Sequence, residues 1–233
     1  MRKVRIVQPC SLLAGRRFEP QAERSLHSLA EEVASTLPGI SQEALLLPEM
    51  PSPLGLPDFV ALIGGSEWIH ARNDIDIPPI TSENDCILLA ALYIRKSLSI
   101  STISQKISWN LDDVRFSVER LCDIGAIYST GRDAYRINAA LVPDGSIFAL
   151  EAKIKNWQKA IFQGRAYRTW ADNYVILLGG VGDQAAQRAK ERVESDKAGL
   201  FLSSGWLVRP HRRKPANSQR FRGFEYLYAA ITS

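Results

Sequence analysis

The chain has 233 residues, 45% hydrophobic and 23% charged, with a net charge of +4, which suits one large globular domain or two small ones. No apolar stretch reaches membrane-span length, and the basic start, Met1 to Val7, lacks the apolar core of a secretion signal, so the expectation is a cytoplasmic protein with no membrane partner. Cys10, Cys86 and Cys122, like His27, His70 and His211, are scattered, a pattern that argues against a zinc site or a disulfide framework.

Taken in order, residues 20–37 read as a helix, with Ala22, Leu26, Leu29, Ala30, Val33 and Leu37 at helical spacing and Pro38-Gly39 as its stop. The Leu- and Pro-rich stretch 44–57 reads as an irregular connection. Residues 57–63 read as a strand stopped by Gly64-Gly65, and Glu67 to His70 as a further short strand. From Thr81 to Ile137 the pattern changes. A helix over 83–95, a short one through Ile100, Ile103 and Ile107, a turn at 108–110 and a third helix bearing Val114, Val118 and Leu121 are followed by a hairpin that turns at 130–133. That is the order of a winged helix-turn-helix, with Pro78-Pro79 and Pro143-Asp144-Gly145 as seams. The rest alternates: a strand over 146–154, a helix over 156–172, a strand over 173–178, a helix over 184–197 and a strand over 199–202, an α/β pattern.

The strand at 146–154 ends in charge. Glu151 and Lys153 are two positions apart, so both point to one face while Ala152 points to the other. Opposite charges on an apolar strand are costly unless something uses them. Upstream, Asp58 follows Pro57 at the head of another apolar strand, where aspartate is disfavoured. A salt bridge on a half-exposed strand is the plain alternative for Glu151 and Lys153, and a turn residue for Asp58.

Charge is also uneven along the chain. Residues 1–80 carry 7 basic and 10 acidic side chains, whereas residues 205–233 carry 6 and 1. The basic end includes Arg212 and Arg213 and, with Lys155, Lys159 and Arg165, suits a polyanion. The third helix of the middle segment carries Asp112, Asp113, Glu119 and Asp123 against Arg115 and Arg120, a poor face for phosphates. Arg115, Arg120 and Arg132 are nonetheless its candidate DNA contacts.

Pro57-Asp58 with Glu151-Ala152-Lys153, each on a strand and the second just before a helix, resembles the PD-(D/E)XK nuclease superfamily. The resemblance implies a restriction-endonuclease-like mixed sheet flanked by helices, formed by residues 1–70 and 144–233, with the winged helix at 80–140 inserted between strands that the family joins by a hairpin. It implies that Asp58, Glu151 and the Ala152 carbonyl hold Mg²⁺, or Mn²⁺ in its place. Lys153 would assist the attacking water, Gln163 would support the phosphate, and Glu23, with Glu31 as rival, would be the acid of the first helix. DNA is the expected substrate. RNA, a homodimer and a place in a larger complex all stay open. The alternative function is a non-catalytic DNA-binding or assembly protein that uses the winged helix and the basic end.

Overall fold

The computed structural model describes residues 3–9, 26–40, 43–92 and 97–232. Its strands are β1 (Lys3–Ile6), β2 (Glu43–Pro48), β3 (Phe59–Ile63), β4 (Leu98–Ser99), β5 (Ile127–Gly131), β6 (Ala134–Ile137), β7 (Ser146–Lys153), β8 (Asn173–Leu178), β9 (Gly199–Leu202) and β10 (Gly205–Val208). Its helices are α1 (His27–Ala34), α2 (Ser66–Asn73), α3 (Glu83–Leu92), α4 (Ile100–Ile107), α5 (Leu111–Asp123), α6 (Trp157–Tyr167), α7 (Asp183–Asp196) and α8 (Asn217–Thr232).

The architecture is mixed α/β, built on a seven-stranded sheet ordered β1-β2-β3-β7-β8-β9-β10. The pairs β1–β2, β7–β8 and β8–β9 are parallel and the other three antiparallel. Strands β7 and β8 are buried along their whole length, which is why they read as nearly unbroken apolar runs: both faces are covered. On one face Leu26, Ala30, Val33 and Leu37 of the α1 region pack on Phe59, Phe148, Leu150 and Val175. On the other, Trp68 of α2, Tyr167 of α6 and Phe224 of α8 pack on Val60, Leu62, Ile147 and Ala149. Beside them Ile161 of α6 and Val193 of α7 meet Tyr174 and Ile176. By alternation Glu151 and Lys153 share the second face with Ile147 and Ala149.

The chain leaves the sheet after Ile63 and returns at Ser146, and these two residues are partners in the β3–β7 register. Gly145 has φ +92° and a Cβ there would stand 2.7 Å from the Ile63 carbonyl oxygen, so exit and entry touch. Between them α3, α4 and α5 and a three-stranded sheet ordered β4-β6-β5 enclose Leu88, Leu89, Ile103, Val118 and Leu121. Ser99 Oγ caps α4 through the Thr102 N–H, and Asn110 Oδ1 caps α5 through the Asp113 N–H, the side-chain acceptors that helix starts require. This core is closed partly from outside, by Phe221 of α8. The seam is pinned by a buried ion pair: Arg72 donates to Glu225 at 3.2 and 3.3 Å and to the Ile77 and Pro78 carbonyls, and the Ile80 N–H donates to Glu225 Oε2 at 2.8 Å.

Two segments depart from the sequence reading, and a third holds elements that reading did not assign. Within 44–57, expected to be irregular, lies β2, whose leucines split between the two sheet faces (Leu46 on one, Leu45 and Leu47 on the other). Residues 67–70, expected as a strand, belong to α2. There Trp68 and Arg72 form the buried face, and a buried arginine hides an apolar repeat. The basic end holds β10 and α8. Arg220 of α8 is a core residue, donating to Asp172 at 3.0 Å and to the Gly145 carbonyl at 2.7 Å. Among the described residues no helix is long and apolar enough to cross a membrane.

Candidate active site

Antiparallel pairing of Phe59 with Leu150 sets Asp58, one residue before β3, beside the charged end of β7. The Ala152 N–H donates to Asp58 Oδ2 at 2.7 Å. Lys153 Nζ stands 3.4 Å from the same oxygen and 2.9 Å from Glu151 Oε1, and donates to the Ala152 carbonyl at 2.8 Å. Asp58 and Glu151, with 92 residues between them, thus form one cluster with Lys153. Asp58 and Lys153 are each 6% exposed and Glu151 is fully buried.

Tyr167, unassigned by the sequence reading, completes the cluster: its hydroxyl donates to Glu151 Oε2 at 2.8 Å. A helical face shared with Gln163 was legible in the spacing, but its partner was not, because contact between helix and strand depends on register. The 51–57 loop holds the ring in place. A Cβ on Gly55 (φ +84°) would come within 2.7 Å of it, and neighbouring Trp170 donates through Nε1 to the Leu54 carbonyl. Burial, and then the charge of Asp58, push the Glu151 carboxyl above the usual range, against the pull of Lys153 and Tyr167. A buried carboxyl whose proton affinity is raised beside a second acid is a frequent mark of a functional site.

The donor chemistry fits a hard divalent cation. Asp58, Glu151 and the Ala152 carbonyl offer oxygen only, and magnesium takes one or two carboxylates, filling its shell with water and phosphate. No group of three or more metal-ligating His, Cys, Asp or Glu side chains occurs among the described residues, so the protein's share would be two carboxylates and main chain.

Gln163 lies on α6 one turn before Tyr167, and its Oε1 is buried with no hydrogen-bond partner among the described residues. Glu23 lies outside the described residues; its rival Glu31 is exposed on α1. Of the expected DNA contacts, Lys155, Lys159, Arg132, Arg212 and Arg213 are exposed. Three others are engaged by acids: Arg115 with Asp112 at 3.3 Å, Arg120 with Asp85, and Arg165 with Asp196 at 2.7 Å. No family model, no curated protein and no solved structure matches the chain.

Proposed function

We propose that the chain is a magnesium- or manganese-dependent nuclease that hydrolyses DNA phosphodiester bonds, on a restriction-endonuclease-like sheet with an inserted winged helix. One observation carries the reading: two carboxylates and an ammonium, distant in sequence, meet at the end of the central strand pair, in a setting where burial alone makes them expensive. A bound divalent ion would polarise the phosphoryl group and make nearby water more acidic.

The residues divide the work. Asp58 and Glu151 supply the oxygens that hold the cation, with the Ala152 carbonyl beside them. The Ala152 N–H fixes Asp58 and the Tyr167 hydroxyl fixes Glu151, so neither must be ordered when substrate arrives. The Lys153 ammonium donates to the charge that develops on the phosphate oxygens. Gln163 offers an amide for the phosphate. In the absence of a cation Lys153 touches both acids and offsets the charge of one.

The test is cleavage of plasmid DNA, with a matched RNA alongside. Wild type is expected to cut with Mg²⁺ or Mn²⁺ and not in EDTA, and Lys153→Ala to lose about 10²–10³ in rate, the usual effect of removing one such donor, while binding DNA normally. An inert wild type in both metals, or a fully active Lys153→Ala, sinks the proposal in favour of a non-catalytic DNA-binding or assembly protein.

A further inference from the structure

We infer that the outward face of α6 is a stacking platform for an unpaired base, so that the nucleic acid taken up beside Glu151 is single-stranded or locally melted. The inference rests on the nucleic-acid part of the proposed function but not on the cleavage chemistry.

The inward face of α6 is already filled by Ala160, Ile161, Gly164 and Tyr167. Phe162 points the other way and is 78% exposed, with no role in the core. Its helical neighbours are polar or basic: Gln158 four residues before, Lys159 three before and Arg165 three after, all exposed, with exposed Lys155 in the turn ahead. From Lys155 to Arg168 there is no acidic residue. Arg165 is paired with Asp196, so the cations beside the ring are Lys155 and Lys159, and a bare aromatic ring flanked by two lysines suits a strand whose phosphates are attracted while a base lies on the ring.

The chain contains its own control. Phe116 on α5 is also 69% exposed, but Asp112, Asp113 and Glu119 lie three or four residues from it, and Arg115 and Arg120 are held by Asp112 and Asp85. The two helices present the same side chain in different fields: both pair their arginines with acids, but α6 carries no acid of its own and adds Lys159, with Lys155 ahead of it, which is the field that attracts a polyanion. At about 100° per residue, Lys159 and Gln163 lie between Phe162 and Tyr167 around the helix. A strand seated on the ring would therefore meet Lys159 on the side of α6 that leads round to Gln163 and Tyr167, the residue that holds Glu151. Paired bases stack on each other and offer no open face to a ring on a convex helix, so an unpaired base is the fitting occupant.

The experiment is equilibrium binding of the full chain in EDTA, read by anisotropy of labelled oligo-dT of about 15 nucleotides and of a hairpin duplex with equal phosphates. Wild type is expected to prefer the single strand. Phe162→Ala is expected to weaken single-strand binding about ten-fold, the loss of one stacked base, and to leave duplex binding unchanged, while Phe162→Trp retains it. Lys159→Ala should weaken both probes and flatten the salt dependence. Unchanged single-strand binding by Phe162→Ala, or an equal loss on both probes, overturns the platform. A Phe162 effect in a protein that cuts nothing upholds the platform and overturns only the hydrolytic reading. Failure of wild type to bind either probe overturns both.

Discussion

Among the described residues Asp58, Glu151 and Ala152 each turn an oxygen toward Lys153, a convergence that suits the three donors of an ammonium. Arginine could not replace it, because a planar fork does not fit three convergent acceptors. Tyr167 acts on the other oxygen of Glu151 as a positioning residue. Its hydrogen bond favours the ionised carboxylate and so opposes burial and Asp58, which raise the proton affinity of Glu151. In Tyr167→Phe that proton affinity rises further and the ionised form persists only at higher pH. The acid limb of the cleavage profile should then move upward, and calorimetric titration with Mn²⁺ should show affinity lower by roughly ten-fold, the worth of one hydrogen bond to a charged group. A profile and an affinity identical to wild type would remove Tyr167 from the site. Glu151 and Lys153 were legible in the sequence because a carboxylate and an ammonium interrupt an apolar strand. Tyr167 was not, since an aromatic on the inner face of a helix reads as packing.

Helix α6 sets how far Tyr167 stands from β7, and Gly164 makes that distance short. A Cβ on Gly164 would fall 2.4 Å from the ring of Tyr174 on β8, a buried residue whose hydroxyl donates to Asp196 at 2.5 Å and which therefore has little room to yield. Gly164→Ala should lift the helix from the sheet and lower stability by about 1–3 kcal/mol, the usual cost of overpacking, with Tyr167 drawn away from Glu151. Urea unfolding of the variant should show the lower midpoint, whereas an unchanged midpoint would mean that the helix moves freely. Elements were read best where the burial pattern was simple. The fully buried β7 and β8 and the capped α5 fall at their expected places, because apolar runs and cap residues are local signals. Strand β2 was hidden by its leucines, which favour helices as readily as strands. Helix α8 was hidden because it is buried on several sides: Arg220 and Glu225 sit inside with Phe221, Phe224 and Leu227, so no polar stripe marks its outer edge.

At the scale of the whole molecule, the segment between β3 and β7 is tied to the sheet twice. Its ends meet at Ile63 and Ser146, and its far side rests on α8 through Phe221 and the Arg72–Glu225 pair. Both members of that pair have fully buried side chains, so Glu225→Ala strands a guanidinium without its counter-charge and should cost about 3–5 kcal/mol. Thermal melts of wild type and variant would show it, and a variant as stable as wild type would mean that the pair is dispensable. This coupling was not legible from the seams at Pro78-Pro79 and Pro143-Asp144-Gly145, which suggested an insert closed on itself. The long-range salt bridge depends on two residues 153 positions apart, and nothing local to either announces the other. The internal counter-ion at the end of β7 has a consequence of its own. Because Lys153 offsets one of the two acid charges from within the polypeptide, the fold leans less on an ion from solution, and under the proposed function mineral supply would govern when the molecule acts more than whether it survives.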